Sequence, residues 1–156
     1  MSEAIWQKPE IVTWTQIILN SYRKFVGNEL IERTGEAIEQ SKNLYFAAVV
    51  VVSHGTQADP ILNYGNQTAL DLWEMSWDVL AQTPSRLTAE PMNREERQQM
   101  LLTVENQGFI DNYRGVRISS TGKRFYIEQA TVWNLIDAQA KYCGQAAKFS
   151  RWNFLT

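Results

Sequence analysis

Four valines in a row, Val49–Val52, limit what this chain can become more than any other stretch. Each is branched at Cβ and stiff at χ1, so the run favours extended backbone. Apolar residues continue back to Phe46, leaving no polar face. A strand apolar on both sides belongs in the middle of a sheet. The strand period covers Leu44–His54. Gly55–Pro60 is then a loop of turn-forming residues, and Ile61–Tyr64 is short enough for an edge strand. Asn66 stands where it caps a small helix carrying Ala69, Leu70, Trp73 and Met75.

The residues before this nucleus read as helix. Pro9 suits a first helical position and Gly27 the residue past a helix end. Ile11, Trp14, Ile18, Tyr22 and Phe25 between them recur at three- and four-residue steps. Val12, Ile17, Leu19 and Val26 widen the stripe, so this helix needs cover on more than one side. Its own domain can supply that cover, or a partner chain can share in it. Asn28 then suits the cap of a helix over 29–41, with Leu30, Ile31, Ala37 and Ile38 on one face. Gly35 would weaken its middle by about 1 kcal/mol relative to alanine. The acidic residues between read as a solvated face.

The residues after it begin with short helical pieces. Ser76 suits a cap, Thr83-Pro84 a cap with proline first, and Pro91 a stop. Asn93 with Glu96 resembles a capping box opening a helix over 94–107, with Met100, Leu101 and Val104 inward and Gly108 as its end. Three extended runs follow: Phe109–Ser119, Lys123–Asp137 and Lys141–Phe154. Thr121-Gly122 and Asp137–Ala140 are the turns between them, which makes a meander. Two strands, helices and three more strands can form one antiparallel sheet with the helices on one face, an α+β arrangement.

Bulk properties exclude several roles. A net charge of −2 and a pI near 5.5 argue against nucleic-acid binding driven by phosphate contacts. One cysteine and one histidine leave no internal disulfide and no Cys- or His-built metal site. The N-terminus shows no export signal, and no apolar run nears the ~20 residues of a membrane span. The expectation is a cytoplasmic protein.

The order of elements resembles the PAS fold, and Tyr64-Gly65-Asn66 with Ala69 looks like the start of its first helix. Longer blocks carry a closer likeness. They are SHGTQADPILNYGN at Ser53–Asn66, TPSRLTAEPMNREER at Thr83–Arg97 and GFIDNYRGVRISSTGKRF at Gly108–Phe125, then IEQATVWNLID at Ile127–Asp137 and GQAAKFSRW at Gly144–Trp152. On these the chain is identified as a member of the MEKHLA family of PAS-like domains. The resemblance implies a five-stranded antiparallel sheet with short helices on one face, residues 44–156, behind a helical extension, residues 1–43. It puts the first strand beside the last, with the second strand and the first meander strand at the edges. It also implies a sensory or regulatory role, a pocket under the short helices, and a homodimer through helix 9–26. It carries no catalytic set. The rivals are an interaction module with a filled core, or an enzyme using His54.

His54 is the obvious reactive residue, yet it stands at a strand end. Its ring nitrogens either bind the adjoining loop, Asp59 included, or face a pocket. The PAS order brings Cys143 toward His54, and such a contact would activate the thiol. The other reading is a small buried residue. Flavin–thiol photochemistry, as in the photosensor branch of PAS proteins, would need a cysteine within 66–90, which holds none. No cofactor is assigned. Arg117, Glu128, Gln129, Asn134 and Gln145 are polar residues on apolar strands, and any that face the helices need a partner or a ligand. Alternation leaves open which face of 123–137 points inward. The expected ligand residues are His54, Trp73, Arg86, Gln129 and Trp133, with Arg86 suited to a carboxylate or phosphate.

Overall fold

A computed structural model describes residues 3–89 and 94–155. After a 3₁₀ turn at Ile5–Gln7 come helices α1 (Pro9–Val26) and α2 (Ala37–Tyr45), then strands β1 (Val50–His54) and β2 (Leu62–Gly65). Helices α3 (Gln67–Trp73) and α4 (Trp77–Leu80), a 3₁₀ turn at Ser85–Thr88 and helix α5 (Arg94–Gln107) lead to the meander. Its strands are β3 (Phe109–Ile118), β4 (Arg124–Ile136), β5 (Tyr142–Phe149) and β6 (Arg151–Phe154). The sheet is antiparallel in the order β2-β1-β5-β4-β3, as expected, with β6 as an extra strand beside the first half of β4.

The valine run is central. Val50 pairs with Phe149 and Val52 with both Ala147 and Gly65. Asn66 joins the strand to the first helix. Its Oδ1 accepts from the Val51 and Ala69 backbone N–H groups, and its Nδ2 donates to the Leu44 and Val49 carbonyls. A fully buried amide thus has all its hydrogen-bonding capacity used. Ser76 caps α4 through Val79 N–H, as its position suggests.

Four expectations change. Residues 29–36 are not helical: Gly35 takes a left-handed φ of 76°, and α2 starts after it. The segment is held instead by Arg33, which donates to Gln16, Asn20 and Gln40. Leu44 and Tyr45 end α2, so β1 begins only at Val50. Thr83 caps nothing, and its hydroxyl donates back to the Val79 carbonyl. The last run breaks at Ser150 into β5 and β6. Pro91 as a stop and Asn93 as a cap lie outside the described residues.

Helices cover both faces of the sheet. Ile11, Ile18, Leu19 and Tyr22 of α1 pack with Val51, Trp133, Leu135 and Ala146 on one face. Ala69, Leu72 and Trp73 of α3 pack with Val50, Phe125, Ile127, Ala130 and Phe149 on the other. β4 answers the question of faces by changing sides. Gln129 adopts a φ of 51° beside irregular pairing with β3, and the alternation slips there. Phe125, Ile127 and Ala130 consequently share the α3 face, while Trp133 and Leu135 face α1.

Candidate functional site

Strands β1, β3, β4 and β5 meet α5 and the Ser85–Thr88 turn around an inner cavity of about 60 Å³. Its walls are mainly apolar, from Val52, Ile127, Val132, Ala147, Phe149 and Met100. It shares His54, Ser85, Arg97, Leu101 and Gln145 with an outer polar cleft of about 710 Å³. The cleft runs along the Gly55–Pro60 loop and α5, with Arg86, Arg94, Asp59 and Glu105 on its sides.

Two polar strand residues anchor α5. Asn134 Nδ2 donates to the Val104 and Glu105 carbonyls, and Gln145 Nε2 to the Leu101 carbonyl and Asn134 Oδ1. The Glu105 carbonyl belongs to the last turn, where carbonyls lack a partner within the helix, while the Val104 carbonyl also accepts from Gly108 N–H. Gly108, with a φ of 98°, ends the helix and turns the chain into β3.

Arginines dominate the rest of the polar wall. Arg117 is 7% exposed, donates to the Val116 carbonyl and lies 5.1 Å from the centre of the Tyr113 ring. Gly115 makes that arrangement possible, since a Cβ there would lie 2.7 Å from Tyr113 Oη. Arg97 reaches in from α5 and donates to Ser85 Oγ at 2.7 Å. Burial, then the neighbouring Arg117 charge, lowers its pKa to about 10. Among the described residues, no carboxylate lies within ion-pair distance of Arg97 or Arg117. Asp59 is paired with Arg86 at 3.1 Å in the open cleft.

His54 turns its Nδ1 to the Gly55 carbonyl at 3.0 Å, and its buried Nε2 has no partner. Nδ1 is therefore the donor, and Nε2 carries a bare lone pair in the neutral ring. Burial lowers the imidazole pKa; the bond to Gly55 opposes that shift and the Arg97 charge adds to it. The ring thus binds the loop, but through Gly55 and not Asp59. Trp73 Nε1 is also buried without a partner.

The five expected ligand residues do not come together. His54 and Trp73 line the inner cavity, and Arg86 stands in the outer cleft. Gln129 is exposed at the bulge. Trp133 lies across the sheet, donating from Nε1 to the Ile18 carbonyl and meeting Tyr22 edge-on at 4.9 Å. Cys143 also packs on the α1 side, so the sheet separates it from His54. Burial and then Asp137 raise its thiol pKa, the reverse of activation. Arg97 went unnoticed because it reads as one more charge on a polar helix. Arg117 carried a signal, a cation on an otherwise apolar strand.

The MEKHLA domain model matches residues 12–154. The chain belongs to the MEKHLA domain family. Among MEKHLA relatives, the Arabidopsis thaliana homeobox-leucine zipper protein ATHB-14 is 28% identical over 152 residues. The match covers 94% of this chain and 18% of that protein. HOX29 of Oryza sativa is 27% identical over 154 residues, covering 94% and 17%. The chain thus spans less than a fifth of the length of these relatives. Among solved structures, a PAS domain from Colwellia psychrerythraea superposes with a TM-score of 0.63 at 17% identity, covering 76% of this chain and 95% of that one. A light-oxygen-voltage domain studied with a flavin analogue gives 0.56 at 15%, covering 76% and 85%. These likenesses show that the MEKHLA chain has the PAS fold. No described helix is long and apolar enough to cross a membrane.

Proposed function

We propose that this MEKHLA chain is a sensory module that takes a small molecule between the sheet and α5 and passes its occupancy through the sheet to α1. One observation carries the reading. The cavity and α1 lie on opposite faces of the same strands, so neighbouring residues serve both. On β1, His54 lines the cavity while Ser53 accepts from Trp14 Nε1 of α1 at 2.9 Å. On β4, Val132 lines the cavity while Trp133 holds Ile18. A ligand that shifts these strands acts on α1 only if it binds two arrangements with different affinity.

The inner cavity is well below the roughly 150 Å³ that admits a benzene ring, so most of the ligand lies in the outer cleft. We read the module as acting by binding: His54 orients on a backbone carbonyl, and among the described residues its Nε2 has no hydrogen-bond partner. The net charge of −2 supports a role without nucleic acid. A homodimer through α1 belongs to the same reading. The helix spends most of its apolar stripe on its own sheet, and Thr13, Asn20, Arg23 and Lys24 face outward. Such a polar contact is weak, and sedimentation at rising concentration reads it.

A thermal-shift screen of the purified chain against organic acids, nucleotides, sugars and apolar compounds tests the ligand. At least one class should raise Tm saturably, and Leu101→Trp, placed where cleft meets cavity, should remove the shift. No stabilising class would overturn the sensor and leave the interaction module, the reading favoured by the small inner cavity.

A further inference from the structure

We infer that the inner cavity is a carboxylate site: the acid group of a small organic anion sits between Arg97 and Arg117, and its body lies in the outer cleft. The inference rests on the sensory reading and names the ligand class for the same pocket.

Buried guanidinium groups are normally paired, because removing an isolated charge from water is expensive. Arg117 is buried, and among the described residues its partners are a neighbouring carbonyl and a phenol ring. Arg97 has a hydroxyl. The two cations also repel each other. A chain of net charge −2 therefore gathers two cations without an ion-pair partner among the described residues where cavity meets cleft, with Asp59 acting on Arg97 only at longer range. A carboxylate there would convert two costly charges into charge-assisted, forked hydrogen bonds.

The other polar atoms choose among oxyanions. Trp73 Nε1 supplies one further buried donor without a partner, and His54 Nε2 supplies a lone pair. The remaining wall is mostly apolar. A carboxylate presents its two oxygens to the arginine forks and an apolar carbon to this wall, where a phosphate presents a further oxygen. The bare Nε2 would oppose a carboxylate unless it takes up a proton, so binding should draw a proton onto His54. Arg97 is the charge that acts on the ring, and Arg117 lines the same cavity; Asp59, Arg86, Arg94 and Glu105 line the outer cleft.

The test is titration of the full chain with acetate, benzoate, succinate and inorganic phosphate, read by NMR of the single histidine ring. Benzoate or succinate should shift the ring signals saturably and raise the pH at which they titrate. Phosphate should do neither. Arg117→Met, of similar length and uncharged, should weaken binding about tenfold or more. It should also raise the Tm of the free protein, because an unpaired charge is gone. A structural Arg117 would instead make this variant less stable and leave binding unchanged. Should it fail to fold, Arg97→Met carries the same binding expectation. Carboxylates that cause no saturable shift, or bind equally well to both variants, would overturn the site. Saturable phosphate binding in their place would overturn the carboxylate. Binding of neutral compounds alone would overturn the anion while sparing the sensor. A carboxylate that binds without altering α1 would spare the site and sink the sensor.

Discussion

Asn66 shows how one side chain can fix the junction of strand and helix. It closes four hydrogen bonds to three segments while fully buried. Asn66→Ala removes a helix cap and leaves buried backbone groups unpaired, so it should cost about 2–4 kcal/mol in urea unfolding. His54 sets the pH response. Its folded pKa lies below the usual 6.5, so the native state favours the neutral ring. That contribution is complete above pH 6.5 and is lost as pH falls from there through the folded pKa. Stability should fall across that window, and His54→Gln should flatten the slope. Sequence alone placed Asn66 at the cap and His54 at a strand end. It could not show that Nδ1 would choose a carbonyl one residue away, because loop geometry decides that.

The elements were legible where periodicity was long and lost where it was short. The stripe over 9–26 emerges as a helix and the valine run and the meander as strands, with β1 starting later and the last run broken at Ser150. The segment 29–36 misled because its apolar spacing suits a helix, but Gly35 takes a positive φ and Arg33 ties the segment to α1 and α2. β4 resisted because the reversal at Gln129 invalidates alternation along one strand. Trp133, after the reversal, is therefore a support for α1. Trp133→Ala should cost about 3–5 kcal/mol, and limited proteolysis should then cut α1 more readily. The β1–β5 joint depends on Gly144, where a Cβ would lie 2.2 Å from the His54 carbonyl oxygen. Gly144→Ala should lower Tm and broaden the His54 ring signals, whereas a substitution at Gly122, with open space around it, should leave those signals alone.

At the scale of the whole molecule, the sheet lies between two helical layers with different work. α1 and α2 close one face with a buried apolar core. α3 and α5 close the other over a cavity with polar groups that lack partners. The elements and turns could be read from local pattern, and the resemblance to the PAS fold supplied the strand order. The site could not, because Arg97 and Arg117 are 20 residues apart on a helix and a strand and become neighbours only when α5 lies across the sheet. The relay between the two layers is the central claim. Its direct measurement is hydrogen exchange of the full chain with and without a saturating ligand found in the screen. Added protection in α5 and β5, together with altered exchange in α1, is the expected result. Protection confined to the cavity side, with α1 exchanging at an unchanged rate, would contradict it.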